Sequence, residues 1–202
     1  IILYPMNALA SDQARRIAKE IHNNPALNGK VRVGLYVGGL ADGGGSKSMT
    51  ETSVITSREE MRKSPPDILL TNYKMLDYLL IRQADRVLWA ENTLDTLRYL
   101  VVDELHTFDG AQGTDLACLI RRVKARLKTP KDYLCCVGTS ATLGGPGSAQ
   151  AMIKFAELIF GEAFVGNPII NETRKLPGEH IENEDAEDLE ILYFEPPGPE
   201  HG

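Results

Sequence analysis

Short apolar runs separated by stretches of helical periodicity constrain the fold of this chain more than any other feature. Five runs are predicted strands, at residues 1–4, 31–37, 67–71, 99–102 and 133–137. Most of them are continuously apolar, whereas a strand with one solvated face would alternate apolar and polar residues. Such runs are typical of a parallel sheet that crossover helices cover on both faces. The sequence therefore predicts an α/β fold.

Helical stretches fill most of the intervals between these runs. Apolar residues recur at helical spacing in residues 8–21, 73–80, 115–127 and 150–160. Ser57 and Glu60 form a capping box for a further short helix. Asn72 and Thr114 are predicted to cap the helices that follow them. Residues 38–56 are rich in Gly, Ser and Thr and are predicted to form a long loop.

The charge of the chain is uneven. The 202 residues carry 22 Lys and Arg against 28 Asp and Glu, a net charge of −6. Nine of the acidic residues lie in residues 176–202, which contain no Lys or Arg, so 22 basic and 19 acidic residues remain in the rest of the chain. We therefore expect residues 1–175 to form a domain that can meet phosphate groups. Residues 176–202 are predicted to form an acidic linker or surface insertion.

Apolar runs and cysteines bear on the compartment of the protein. No run of about 18 or more uncharged apolar residues occurs, so no membrane span is expected. A basic stretch followed by an apolar segment, the signature of a signal peptide, is not found at the N-terminus. The cysteines, Cys118, Cys135 and Cys136, lack the paired spacing of a metal site. They are interpreted as small buried residues in a reducing compartment, which predicts a cytoplasmic location.

Polar motifs follow several of the predicted strands. The motifs PMNALA, TNYKML, DELH and TSAT each begin where an apolar run ends. Because ligands bind at the carboxyl ends of the strands in open parallel sheets, these motifs are predicted to meet at one edge. Turn and helix-start chemistry would explain any one of them taken alone.

Two adjacent carboxylates, Asp103 and Glu104, end the fourth run. A nucleotide-bound Mg²⁺ takes only one or two protein carboxylates, and Asp103 suits that role through a water molecule. Glu104 could then orient and deprotonate the water that attacks the γ-phosphate. His106 is interpreted as a relay that hydrogen-bonds Ser140 or Thr142, although an ordinary surface histidine is the alternative.

The set of motifs resembles the first RecA-like motor domain of superfamily 2 DEAD/DEAH-box helicases over residues 1 to about 145. PMNALA resembles motif Ia, LLTNYKMLDYLLIR motif Ib, VVDELHTFDGAQGTDLACLIRR motif II and VGTSATLGG motif III. The DELHTF variant resembles the Lhr-like and MrfA-like branch of DNA helicases. The resemblance implies a RecA-like parallel sheet with helices on both faces, which here would be an incomplete P-loop NTPase fold.

The resemblance implies ATP and Mg²⁺ as cofactors and a role for each polar motif. Asp103 would coordinate Mg²⁺ through water, Glu104 would be the catalytic base, and His106 would help to couple hydrolysis to movement. The coupling residues of motif III would be Ser140, Ala141 and Thr142.

Nucleic acid is the partner that the resemblance implies, with DNA preferred to RNA. Six residues would lie along its backbone: Pro5, Asn7, Gly38, Gly39, Thr71 and Asn72. Glycines let phosphates approach main-chain amides, and helix N-termini attract anions. Ordinary turn chemistry is an alternative explanation for Gly38 and Gly39. Met6 stands where the family usually has threonine, which puts a side-chain phosphate contact at that position in doubt.

A phosphate-binding loop is not found in the 202 residues. GGGSKS, residues 43–48, lacks a glycine directly before Lys47 and does not open a helix. We expect the loop before Ile1, and a second RecA-like domain of the same chain after Gly202. On this hypothesis the sequence is part of a longer helicase, is inactive alone, and exposes an apolar sheet edge. The alternative is a non-catalytic RecA-like scaffold.

Overall fold

Strands and helices alternate along the part of the chain that the computed structural model describes, residues 1–39, 44–141 and 148–170. The strands are β1 (Ile2–Tyr4), β2 (Val33–Tyr36), β3 (Ile68–Asn72), β4 (Tyr99–Val102) and β5 (Cys135–Gly138). The helices are α1 (Asn7–Asn23), α2 (Arg58–Lys63), α3 (Tyr73–Ile81), α4 (Gly110–Leu127) and α5 (Ser148–Phe160). Two 3₁₀ segments cover Gln83–Trp89 and Leu105–Thr107. Each predicted strand is present, with ends shifted by at most two residues.

The strands form one sheet in the order β2-β3-β1-β4-β5, and every pairing is parallel. Strand β1 lies at the centre, where Leu3 pairs with Thr71 of β3 on one side and with Val102 of β4 on the other. Val102 in turn lies opposite Gly138 of β5. The predicted parallel RecA-like sheet is therefore confirmed, and this register aligns the carboxyl ends of the strands.

Helix α1 covers one face of the sheet with small side chains. Ala10, Ala14 and Ala18 recur every four residues, which places them on one face of the helix, and none is more than 3% exposed. They belong to one apolar cluster with Val33 and Leu70 of the sheet. Because the helix approaches closely here, a larger side chain at Ala14 would overpack the cluster at a cost of about 1–3 kcal/mol.

Helices α3, α4 and α5 contribute to the second apolar cluster. Leu3 of β1 and Val102 of β4 are fully buried in it, together with Leu76 of α3 and Leu116 of α4. Tyr4, the neighbour of Leu3, belongs to the α1 cluster, as expected for alternating sides of a strand. Truncating one of these leucines to alanine would cost about 2–5 kcal/mol.

Two of the predicted helix caps are confirmed. The Ser57 hydroxyl accepts a hydrogen bond of 3.3 Å from the Glu60 amide at the start of α2. The Asn72 side chain accepts one of 2.7 Å from the Met75 amide at the start of α3. Both caps satisfy amides that have no partner within their own helix.

The cap predicted at Thr114 is wrong. Helix α4 begins four residues earlier, at Gly110, and the Thr114 hydroxyl donates to the Gly110 carbonyl at 3.3 Å inside the first turn. The glycines of this stretch suggest a turn, but they lie inside α4, where Gly113 is buried next to Ile159 of α5. At Gly113 a Cβ atom would lie 2.6 Å from the Phe108 carbonyl oxygen, so only glycine fits where the helix passes this backbone.

The two outer strands of the sheet differ in their surroundings. The outer edge of β2 pairs with Ile55, whose amide donates to Val33 and whose carbonyl accepts from Leu35, both at 2.9 Å. Within the described ranges no strand pairs with the outer edge of β5. The face of β5 that carries Cys135 and Val137 is poorly covered, with Cys135 exposed and Val137 38% exposed, whereas Cys136 on the other face is partly buried. The expected cover of helices on both faces of the sheet is therefore incomplete at β5.

The predicted burial of the cysteines is also wrong. Cys118 and Cys135 are exposed because they lie on the outer face of α4 and on the open strand β5. Cys136 is partly buried, and this burial raises the pKa of its thiol to about 11. All three are free thiols, so they form no disulfide with one another.

The chain divides into a compact unit, Ile1–Pro168, and a second unit, Ile169–Gly202. The predicted acidic segment, residues 176–202, lies outside the described residues, so the predicted boundary at residue 175 stays a prediction. Within the described ranges, the helices are too short or too polar to cross a membrane.

Candidate functional site

The carboxyl ends of β1, β3, β4 and β5 bring the four polar motifs to one edge of the sheet. Because Leu3, Thr71 and Val102 share one register level, the residues that follow them leave the sheet side by side. Asp103 and Glu104 follow β4, and Thr139 follows β5, which pairs with β4. The edge therefore has a carboxylate cluster over β4 and β5 and a groove over β1 to β3.

Thr139 connects the two carboxylate residues. Its hydroxyl donates to Oδ1 of Asp103 and accepts a hydrogen bond of 3.1 Å from the Glu104 amide. Its carbonyl accepts a hydrogen bond of 2.8 Å from the Leu105 amide. One residue of the neighbouring strand thus holds the Asp103 side chain and the backbone of Glu104. The family resemblance implies no role for Thr139, although its position directly before Ser140 at a strand end marks it in the sequence.

Glu104 has a left-handed backbone, with φ at 51°. This conformation is uncommon for a residue other than glycine and is kept only where surrounding contacts enforce it. The hydrogen bond from the Glu104 amide to Thr139 supplies one such contact, and the carbonyl of Glu104 accepts from the Thr107 amide and hydroxyl, both at 2.8 Å. The sharp turn leaves the Glu104 side chain 35% exposed.

His106 lies between Glu104 and Ser140. Its Nδ1 is 3.0 Å from the Ser140 hydroxyl and 3.4 Å from Oε2 of Glu104. The structure thus brings together the histidine and the motif III serine that the sequence paired. Ala141 follows Ser140 at the same edge. Thr142, the alternative partner of His106, lies outside the described residues.

The donor set at this edge fits a nucleotide-bound Mg²⁺ rather than a metal held by protein alone. In the described ranges no group of three or more His, Cys, Asp or Glu could enclose a metal ion. A single oriented carboxylate, Asp103, is what Mg²⁺ requires when phosphates and waters supply its other ligands. Burial and the Asp103 carboxylate raise the pKa of the neighbouring Tyr4 to about 12, so that phenol stays neutral beside the site.

The groove over β1 to β3 has a volume of about 510 Å³. It is lined by Pro5, Gly38, Asn72, Tyr73, Lys74, Met75, Tyr78 and Gln112. Three of these, Pro5, Gly38 and Asn72, are among the predicted nucleic-acid contacts. Asn7 borders them, since its side-chain oxygen accepts a hydrogen bond of 2.6 Å from the Asn72 amide group. Gly39 follows with φ at 88°, a conformation that favours glycine.

Thr71 does not contribute to the groove. Its side chain is fully buried, and its hydroxyl donates a hydrogen bond of 2.6 Å to the Tyr36 carbonyl of the neighbouring strand. The predicted contact between Thr71 and nucleic acid is therefore corrected to a structural role. Side chains alternate between the two faces along a strand, and the sequence alone does not determine on which face the Thr71 side chain lies.

Comparison with known proteins agrees with this architecture. The parallel sheet and its polar edge define a RecA-like α/β domain. A model of the DEAD/DEAH box helicase family matches residues 1–149, so the chain belongs to this family.

Relatives of this chain include several helicases and the Druantia protein DruE. Over 118 residues the chain is 41% identical to the Druantia protein DruE of Escherichia coli (strain UMEA 4076-1). This match covers 55% of this chain and 6% of DruE. The crystal structure of the DUF1998 helicase MrfA superposes with a TM-score of 0.56 and 26% identity, covering 83% of this chain and 23% of MrfA. The structure of Mycobacterium smegmatis helicase Lhr bound to ssDNA and AMP-PNP superposes with a TM-score of 0.51 and 26% identity. The match covers 73% of this chain and 18% of Lhr. The predicted Lhr-like and MrfA-like relationship is confirmed.

The chain spans only a small share of the proteins that it matches. It covers 6% of the length of DruE and 21% of an uncharacterized ATP-dependent helicase, MJ1574, of Methanocaldococcus jannaschii. Most of each relative thus lies beyond the region of similarity.

Proposed function

We propose that this chain is the first motor domain of an ATP-dependent helicase or translocase that acts on DNA. The observation that carries the proposal is the joint position of two features at one sheet edge. Asp103 and Glu104, held by Thr139, lie beside a groove that Asn72 and Lys74 line. ATP hydrolysis and DNA binding at the ends of adjacent β-strands can be coupled through small shifts of the loops between the two sites.

Glu104 is the proposed catalytic base and Asp103 the proposed anchor for Mg²⁺ through water. When bound, MgATP supplies the γ-phosphoryl group and the metal that neutralises its charge. Glu104 accepts the proton of the attacking water with a side chain that is free to reach the edge of the sheet. Asp103 presents a carboxylate that Thr139 holds in one orientation. Catalysis of this kind depends on positioning and charge, which these hydrogen bonds provide.

His106 and Ser140 are the proposed coupling pair. A change in the charge of Glu104 or of the bound phosphates would alter the hydrogen bond between Nδ1 of His106 and the Ser140 hydroxyl, now 3.0 Å long. Ser140 lies on the segment that follows β5, and Ala141 and Thr142 continue it. The pair therefore offers a route from the carboxylates to the next strand end.

The proposed nucleic-acid contacts are Pro5, Asn7, Gly38, Gly39 and Asn72. They present backbone amides, a side-chain amide and the N-terminus of α3, all suited to phosphate oxygens. DNA is preferred to RNA because the structural neighbour Lhr is described as bound to ssDNA. A cytoplasmic location is proposed because the free thiols fit a reducing compartment.

ATP is proposed to be held jointly with segments outside the 202 residues. The sequence contains no GxxxxGK[ST] phosphate-binding motif. Such a loop, with a second RecA-like domain, would complete the nucleotide site in a longer protein. The chain by itself is then expected to show negligible ATPase activity.

The test is the ATPase activity of the full-length protein, measured with single-stranded DNA, with RNA and without nucleic acid. The substitution Glu104→Gln is expected to lower turnover by at least about a hundredfold while ATP binding persists, as for loss of a general base. Glu51→Gln, an exposed glutamate outside the site, is the matched control and should behave as the wild type. Hydrolysis by Glu104→Gln at the wild-type rate would reject the motor and favour a RecA-like scaffold. Stronger stimulation by RNA than by DNA would correct the substrate.

A further inference from the structure

We propose that Tyr78 is a stacking platform for an unpaired base, and that Lys74 on the same helix face binds an adjacent phosphate. The groove would thus bind single-stranded DNA through a base as well as through the backbone. This inference rests on the proposed nucleic-acid function and adds a contact to it. The motif comparison assigned no role to Tyr78.

The exposure of Tyr78 is the first observation. Its side chain lines the groove together with Pro5 and Gly38, yet the residue is 52% exposed. A large aromatic ring exposed inside a concave polar site has apolar area available for a flat partner. Bases stack on such rings with little regard to sequence, because every base has a π face.

An ion-pair network anchored on the buried Asp85 lies against the ring. The Arg82 guanidinium lies 5.8 Å from the centroid of the Tyr78 ring, and its Nη1 is 3.8 Å from Oδ2 of Asp85. Asp85 is fully buried and also accepts hydrogen bonds from Nε of Arg62, at 2.7 Å, and from the Tyr36 hydroxyl, at 3.1 Å. Because Arg82 is tied to this fixed carboxylate, the Tyr78 ring loses little conformational freedom when a base stacks on it.

Positive charge beside the ring favours a polyanion as its occupant. Lys74 and Tyr78 are four residues apart on α3, so their side chains share one face of the helix. Lys74 also lines the groove, with its ammonium 5.8 Å from the Tyr73 ring centroid. The N-terminus of α3, capped by Asn72, faces the same groove and adds partial positive charge. An apolar protein surface would gain nothing from these charges.

The strandedness of the ligand follows from the geometry of stacking. In a duplex the faces of the bases are covered by their neighbours, and a side chain reaches them only by unstacking the helix. In a single strand the faces are accessible, and stacking on an aromatic residue contributes about 1–3 kcal/mol per base. A tyrosine platform therefore favours a single strand over a duplex, and the choice of DNA rests on the proposed function.

The test is fluorescence anisotropy of the nucleotide-free full-length protein with two labelled oligonucleotides. One is oligo-dT of about 12 nucleotides, within the usual range of single-strand site sizes. The other has the same length and backbone but abasic sugars. Tyr78→Ala is expected to weaken binding of oligo-dT by about 5- to 100-fold. Its affinity for the abasic strand should stay within about twofold of the wild-type value. Tyr78→Phe keeps the ring and is expected to bind as the wild type.

Lys74→Ala separates phosphate binding from stacking. It should weaken the binding of both oligonucleotides by the same factor, and it should reduce the slope of log affinity against log salt concentration by about 0.7. If Lys74→Ala has this effect but Tyr78→Ala weakens both strands equally or neither, the platform is rejected while the proposed function stands. If the wild type binds neither strand, the proposed function and the platform both fail. A base-dependent loss in Tyr78→Ala, absent in Tyr78→Phe, supports the platform.

Discussion

The hydroxyl of Thr139 donates a hydrogen bond to the Asp103 carboxylate across two neighbouring strands, 36 residues apart in the chain. The same oxygen accepts from the Glu104 amide at 3.1 Å. A single hydroxyl thus sets both the orientation of Asp103 and the turn that carries Glu104. Mutating a residue that orients a metal-binding side chain typically costs about 10- to 100-fold in metal affinity or activity.

Removing the Thr139 hydroxyl is expected to slow ATP hydrolysis by the full-length protein. Thr139→Val keeps the shape of the side chain but leaves Oδ1 of Asp103 and the Glu104 amide without their partner. We expect kcat to fall by about 10- to 100-fold and the Mg²⁺ concentration at half-maximal rate to rise. Thr139→Ser retains the hydroxyl and is the matched control. A Thr139→Val enzyme with wild-type Mg²⁺ dependence would show that the hydrogen bond does not orient Asp103.

The buried carboxylate of Asp85 is expected to contribute much more to stability than an exposed one. Asp85 is fully buried and accepts from Nε of Arg62 at 2.7 Å, whereas the exposed Asp12 lies 3.4 Å from Nε of Arg16. Asp85→Asn should lower the free energy of unfolding by about 3 kcal/mol, because Arg62 loses its counter-charge in a buried site. Asp12→Asn should change it by less than about 1 kcal/mol. Urea denaturation of both variants gives the comparison, and equal losses would contradict the expected difference.

The thiols are expected to react in an order set by burial. Cys118 and Cys135 are exposed, while burial raises the pKa of Cys136 to about 11, so its reactive thiolate is scarce near pH 8. Mass spectrometry after brief alkylation should find Cys118 and Cys135 modified before Cys136. Alkylation in denaturant, where all three should react alike, is the control. Early modification of Cys136 would show that it is more accessible in solution.

The same pKa predicts a change of stability in alkaline solution. Folding raises the pKa of the Cys136 thiol from 9.0 to about 11, so the folded state favours the neutral form. The stabilisation from this group is complete below pH 9 and is lost as the pH rises from 9 towards 11. Thermal melts of the wild type and of Cys136→Ser across this pH range measure the effect. The difference between their melting temperatures should become smaller as the pH increases.

The open edge of β5 is expected to promote association of the 202-residue chain. Val137 is 38% exposed on this strand, and unpaired strand edges are templates for pairing with another chain. Light scattering should detect association that increases with concentration, and Val137→Lys should reduce it. Val87→Lys is the matched control, because Val87 is 47% exposed and lies outside the sheet. This substitution should leave the association unchanged. A wild-type chain that stays monomeric at high concentration would contradict the prediction.

The sequence by itself determined the local elements and the chemical character of the site edge. Strand positions and the caps at Ser57 and Asn72 depend on residues close in the chain, and these are the predictions that the structure confirmed. The position of Asp103 and Glu104 at the end of an apolar run is likewise a local pattern. The motif order also sufficed to recognise the family.

Tertiary structure alone decided which side chains meet and which are exposed. Gly113 is buried where α4 packs against Ile159 of α5, and Thr71 is fully buried in the sheet. Thr139 reaches Asp103, and Arg62 and Tyr36 reach Asp85, only because the sheet order and the covering helices bring these distant residues together. Periodicity and caps are properties of neighbouring residues, whereas strand order and burial depend on contacts between residues far apart in the chain.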